Sequence, residues 1–131
     1  MTTKLASYNS SLNSLLAGML ARTPGAVHAV LSTVDGVQVA VSAGLPEDRA
    51  EQLATIGAGL LSIADGAGTM MSTGAPKHVV VEMYRGLLLA APVGPRVCLT
   101  LLATTEAERE RLGFELAQFA AHIVPMVAHI R

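Results

Sequence analysis

Apolar residues recur at helical spacing in the first segment of the chain, where Leu12, Leu15, Leu16, Met19 and Leu20 fall on one face. Pro24-Gly25 cannot continue that helix, so it should end near Arg22. Two β-rich runs follow, Ala26 to Val34 and Val37 to Ala43, joined by Asp35-Gly36. Such runs around Asp-Gly predict a hairpin, because both turn positions favour positive φ. Leu45-Pro46-Glu47-Asp48 opens a second helix, with proline suited to the first helical position and the acids to the first turn. That helix is predicted to run to Gly66 or Gly68, where glycine allows a stop, and Thr69 to Lys77 to form a loop. Three further strands are predicted over His78 to Tyr84, Leu87 to Val93 and Arg96 to Thr104, with turns at Arg85-Gly86 and Gly94-Pro95. Thr105-Glu106-Ala107-Glu108 has the form of a capping box, with Thr105 as N-cap and Glu108 reaching back. The last helix then carries Leu112, Leu116, Phe119, Ala120, Ile123, Val127 and Ile130 on one face. Pro125 lies inside that pattern and predicts a kink or an irregular last turn.

The order helix, two strands, helix, three strands, helix predicts an α+β fold around a five-stranded sheet. Its tight turns make at least two antiparallel hairpins. Helices at both ends and in the middle can cover both faces of the sheet. Double cover accounts for the nearly continuous apolar character of Leu87 to Ala91 and Val97 to Ala103. One domain spanning 1–131, with an ordered core over 12–130, absorbs the chain.

The second helix has more apolar circumference than one sheet needs. On a helical wheel Ile63, Ile56, Ala67, Leu60, Leu53, Ala64, Gly57, Leu61 and Ala54 fill an arc of roughly 180°, against about 100° for a one-sided surface helix. Its bulky side, Ile56, Ile63, Leu60 and Leu53, is expected to dock on the sheet. Its small side, Ala50, Ala54, Gly57, Ala64 and Gly68 with Leu61 among them, is expected to face outward and let another helix approach. Interior glycines each cost a helix about 1 kcal/mol, so Gly57 and Gly59 imply an offsetting contact. Cover by the terminal helices or a loop of the same chain is the alternative to a subunit contact. The strand His78 to Tyr84 is long, apolar and free of proline, and at a sheet edge it would invite another strand. A symmetric dimer could use both elements.

Composition narrows the function classes. Apolar residues make up 51% of the chain and charged residues only 15%, where a soluble monomer carries about 25% charge. Either a second surface is buried in a partner or the chain sits in a membrane. The longest stretch without Asp, Glu, Lys or Arg is Leu5 to Ala21, which is too polar to supply the roughly 20 apolar residues of a span. Leu15 to Ala21 mimics a signal-peptide core with a cleavage site at Val27-His28-Ala29, but Arg22 and Pro24 interrupt it. A net charge of −1 without runs of one sign gives no nucleic-acid footprint. Cys98 is the sole cysteine, which excludes an internal disulfide and fits a reducing, cytoplasmic setting.

Candidate chemistry is sparse. His122 and His129 stand seven positions apart, and neither a His-x-x-x-His nor a Cys-x-x-Cys pattern occurs. His28 and Cys98, both mid-strand, read as core residues. Gly66 to Gly74 lacks the Lys-Ser/Thr ending of a phosphate loop and follows a helix, so it reads as plain loop. No catalytic residue, metal ligand or cofactor is expected, and the chain reads as a non-enzyme.

Thr23-Pro24-Gly25-Ala26-Val27-His28-Ala29-Val30, Asp35-Gly36, Gly44-Leu45-Pro46 and Ala50-Glu51-Gln52-Leu53-Ala54 resemble the Roadblock family of dynein light-chain type. Gly59 to Gly68 and Val81-Glu82-Met83 continue the likeness, which runs from Leu12 to Ile130. It is closest to bacterial members encoded beside a sensor kinase-like protein and a small GTPase. The resemblance implies a profilin-like sandwich, with the middle helix on one sheet face and the terminal helices on the other. It implies a homodimer built from the middle helix and third strand, and binding to a small Ras-like GTPase. A sensor kinase-like membrane protein would be a further partner, reached without direct membrane insertion. Carried over here, the interface falls on Ala54, Gly57, Ala58, Leu61 and Ala64 of the helix and on Val80, Glu82 and Tyr84 of the strand. The family has no single catalytic signature, so no catalytic residue transfers. Arg49 and Arg85 are the candidates for an arginine finger in trans. Pro125 departs from the family pattern. A small-molecule sensor, or a general interaction module without a GTPase partner, is the second reading. A ligand would need a polar-lined pocket, and the aliphatic strands offer little to orient one.

Overall fold

The computed structural model describes residues 3–130, with side chains from Ser10 onward. The elements are α1 (Thr3–Arg22), β1 (Ala26–Thr33), β2 (Gln38–Val41), α2 (Glu47–Met70), β3 (Val79–Met83), β4 (Gly86–Val93), β5 (Val97–Ala103) and α3 (Arg109–Val127). This is the predicted order. The strands form one open sheet, β2-β1-β5-β4-β3, antiparallel throughout. β5 and β4 are therefore interior strands, and with α1 and α3 on one face and α2 on the other they are covered on both sides. That is why they read as continuous apolar runs.

The larger core lies on the α1 and α3 side, where Leu12, Leu16 and Met19 meet Leu31, Leu89, Leu99 and Leu101 beneath Leu116 and Ile123. The leader-like stretch Leu15 to Ala21 is thus part of a packed helix, and Val27 to Ala29 is part of β1. Thr23 Oγ1 donates to the Met19 carbonyl at 2.7 Å and closes the last turn of α1.

Several boundaries differ from their local signals, each for a tertiary reason. The β1–β2 hairpin forms, but of Asp35 and Gly36 only Gly36 takes positive φ, at +86°. Its N–H donates to the Thr33 carbonyl at 2.9 Å, and the Thr33 N–H donates to the Val37 carbonyl at 2.8 Å. The connection is therefore a three-residue loop ending in a left-handed glycine. Pro46 is the N-cap of α2 and not its first helical residue. α2 also runs through Gly66 and Gly68 to Met70, and the chain turns where Ser72 takes φ 57°. Gly68 serves close packing, since a Cβ there would overlap the Gly74 carbonyl.

The capping box does not form. α3 begins at Arg109 with Glu108 as an extended N-cap that makes no side-chain cap bond. The Thr104 N–H instead donates to the Gly25 carbonyl at 2.8 Å, and the Ala107 N–H to Thr104 at 3.1 Å. These bonds hold the segment as a turn against Gly25, where a Cβ would collide with Ala107. α3 continues past Pro125 and ends at Val127. Pro125 and Ala121, whose carbonyl loses its helical donor, are both exposed, so water can replace the missing bond.

Candidate functional site

α2 meets the sheet with its small residues. Ala50, Ala54, Gly57, Ala58, Leu61 and Gly68 are buried, whereas Ile56 is 50% and Ile63 75% exposed. Leu53 and Leu60 lie half-buried between the two sides. This reverses the expectation that the bulky side would dock and the small side face out. The cause is the opposing sheet surface, where Ala90 and Cys98 lie beneath Ala58 and Leu61 and Thr100 lies beneath Gly57. Small side chains on the sheet draw the helix close, and close-packed interiors leave no space for a second bulky layer. A Cβ on Gly57 would overlap the Thr100 hydroxyl and stand 2.8 Å from the Thr100 Cβ.

The remaining flank of α2 is an outward apolar stripe of Ile56, Ile63 and Met70. Among the described residues, α1 and α3 lie across the sheet from it, so neither provides cover. By length and mean hydropathy α2 could cross a membrane, since Asp65 is the only charge between Leu53 and Met70. That corrects the expectation drawn from uncharged stretches alone. The composition follows from a helix with two apolar flanks, one fitted to its sheet and one facing outward.

The two sheet edges differ. β2 is short, and its Val41 N–H donates to Asn13 Oδ1 of α1 at 2.8 Å, so α1 shields that edge. Among the described residues β3 has no neighbouring strand on its outer side, and it contains no proline. Val80 packs against the larger core and Val79 against the smaller one. Glu82 forms an ion pair with Arg109 of α3, both side chains being largely exposed. Met83 is partly exposed and Tyr84 fully so, at the tip of the β3–β4 hairpin.

The interface residues expected from sequence are therefore divided. Ala54, Gly57, Ala58 and Leu61 are buried in the chain's own helix–sheet contact. Ala64 and Val80 are half-buried, and Glu82 and Tyr84 are exposed. Ile56, Ile63, Met70 and Met83 are among the exposed apolar residues, and the sequence reading placed none of them at the interface. The available signal was the small residues Ala90, Cys98 and Thr100 among the bulkier ones of β4 and β5, which call for a small helix face opposite.

Buried polar atoms gather on the same side of the sheet. Among the described residues, Ser32 Oγ and Thr100 Oγ1 have no hydrogen-bond partner, nor does His28 Nδ1 in β1. Burial raises the Cys98 thiol above its ordinary range, so it stays protonated and unreactive near neutral pH. Among the described residues no group of three His, Cys, Asp or Glu side chains could hold a metal ion. Arg49 and Arg85 are both exposed.

The family model for the Roadblock/LC7 domain matches residues 12–103, from α1 through β5. Among solved structures, a Roadblock/LC7 domain from Streptomyces avermitilis is similar at 33% identity and a TM-score of 0.83, covering 88% of this chain and 97% of that one. MglB of Myxococcus xanthus shares the fold at 13% identity and a TM-score of 0.78, covering 92% of this chain and 98% of its own. Profilin IB of Acanthamoeba castellanii does so at 13% identity and a TM-score of 0.62, over 86% and 96%. No curated protein matches the chain.

Proposed function

Because the chain belongs to the Roadblock/LC7 family, we propose that it works as a single-domain, non-catalytic homodimeric regulator or scaffold that binds a small Ras-like GTPase. The observation that carries the dimer is the pairing of two unfilled features, the outward stripe of α2 and the open edge of β3. A two-fold axis would set stripe against stripe and β3 against β3, extending the sheet across both subunits. Covering Ile56 and Ile63 would contribute on the order of 1–2 kcal/mol each. The contact then centres on Ile56, Ile63 and Met83, with Ala64, Glu82 and Tyr84 at its margin. Ala54, Gly57, Ala58 and Leu61 support it from below by holding α2 on the sheet.

The GTPase is supported by the family resemblance. In this reading the dimer positions groups that belong to the GTPase and supplies no catalytic residue itself. It acts in the cytoplasm, and reaches a membrane only through a complex with a sensor kinase-like protein. Light scattering of wild type beside Ile63→Glu tests the dimer, with a wild-type dimer and a folded monomeric variant expected. A wild-type monomer, or an undisturbed dimer in the variant, sinks that half. Capture from the native host on immobilised full chain tests the other half, through quantitative enrichment of a Ras-sized GTPase. If none is enriched with either GDP or a GTP analogue present, the partner assignment fails.

A further inference from the structure

Beside α2, where the β1–β2 and β4–β5 turns approach it, lies a cleft of about 460 Å³. Ala58 and Leu61 of α2 form one wall and Pro76, Pro92 and Val97 another. Asp35 of the hairpin turn and Asp65 of α2 both line it, and no Lys, Arg or His does. Cys98, 3% exposed, lies at its base. Directly opposite Cys98 in the β1–β5 register is Ser32, fully buried, whose hydroxyl lacks a hydrogen-bond partner.

We propose that this cleft binds a small amphipathic organic cation, an ammonium or guanidinium group on a compact apolar body. Its volume is that of small-molecule sites, roughly 300–1,000 Å³. The apolar walls supply the area that such a body would bury. The two carboxylates select the charge, since an anion would face both of them without a compensating cation among the lining residues. A flat partner surface would not fill a recess bounded by two turns and a loop, so the occupant is a small molecule. The site lies across α2 from the outward stripe, since Ser62 and Asp65 line the cleft while Ile56 and Ile63 do not. It is therefore independent of the dimer contact.

Tryptamine and its neutral analogue tryptophol differ in charge and share an apolar body. Titrated into the ¹⁵N-labelled full chain, tryptamine is expected to give saturable shifts at the amides of Val34, Asp35, Ser62, Asp65 and Val97. Tryptophol should bind at least fivefold more weakly. Asp35→Asn with Asp65→Asn, both at exposed positions, should lower tryptamine affinity about tenfold. Absence of saturable shifts, equal binding of tryptophol, or undiminished binding in the double variant would overturn the assignment.

Discussion

At Gly57 two effects of a single methyl group compete. Alanine favours helix over glycine by about 1 kcal/mol, but a Cβ here would overlap Thr100, and overpacking of a core costs about 1–3 kcal/mol. Overlap with the branched Cβ of a mid-strand residue cannot be relieved by a rotamer change, so the cost wins. Gly57→Ala should lower stability by about 1–2 kcal/mol net, measured by urea unfolding. Gly59, two residues on, has nothing within 4 Å of its missing Cβ. Gly59→Ala should therefore stabilise by about 0.5–1 kcal/mol, and the same sign at both sites would contradict the close helix–sheet approach. Cys98 gives a pH prediction. Burial raises its pKa above the ordinary value of 9.0, so the folded state keeps a proton that the unfolded chain releases. The group leaves stability unchanged below pH 9.0 and lowers it as the pH climbs from there toward the folded value. Cys98→Ala should flatten that alkaline slope in denaturation measured between neutral and alkaline pH.

α2 concentrates both structural and functional demands in one element. Leu61 and Ile63 are two positions apart, yet one is buried on the sheet and the other is 75% exposed. Leu61→Glu should cost about 3 kcal/mol or more through an unpaired buried carboxylate and abolish the cooperative transition in circular dichroism. Ile63→Glu should leave the unfolding of the monomer within about 0.5 kcal/mol of wild type. Should Leu61→Glu melt like wild type, the helix would not sit as described. The ends of α2 and α3 show how an element yields to its neighbours. Gly68 has the chemistry of a helix stop, but the nearby Gly74 carbonyl makes it a close-packing residue within the helix. Thr105 has the chemistry of an N-cap, but hydrogen bonds through Thr104 tie that segment to Gly25.

For the whole molecule, the proposed dimer links stability to concentration, because a partner that binds only the folded state stabilises it by mass action. The melting temperature of wild type should rise as the protein is concentrated, and that of Ile63→Glu should not. A concentration-independent melting temperature in wild type, measured by calorimetry over a hundredfold range, would deny that the outer stripe of α2 is covered by a second copy. The asymmetry of the sheet edges belongs to this scale as well. α1 satisfies Val41 at the β2 edge through Asn13, which leaves β3 as the edge open to strand addition.

By itself the sequence determined the element order, the hairpins, the doubly covered strands and the apolar faces of the two terminal helices. Turn chemistry and apolar periodicity act over a few neighbouring residues, so they survive whatever the rest of the chain does. It also showed that α2 has two apolar flanks and that the third strand could pair. Only the tertiary structure decided which flank lies on the sheet. That choice depends on the depth of the surface opposite, formed by Ala90, Cys98 and Thr100 from strands distant in sequence. Glu82 and Tyr84 came from the sequence only as interface positions implied by the family resemblance, and both are exposed. Ala54, Gly57, Ala58 and Leu61 were not legible as core, because a small residue fits equally well beneath a sheet and against another helix until the facing surface is known.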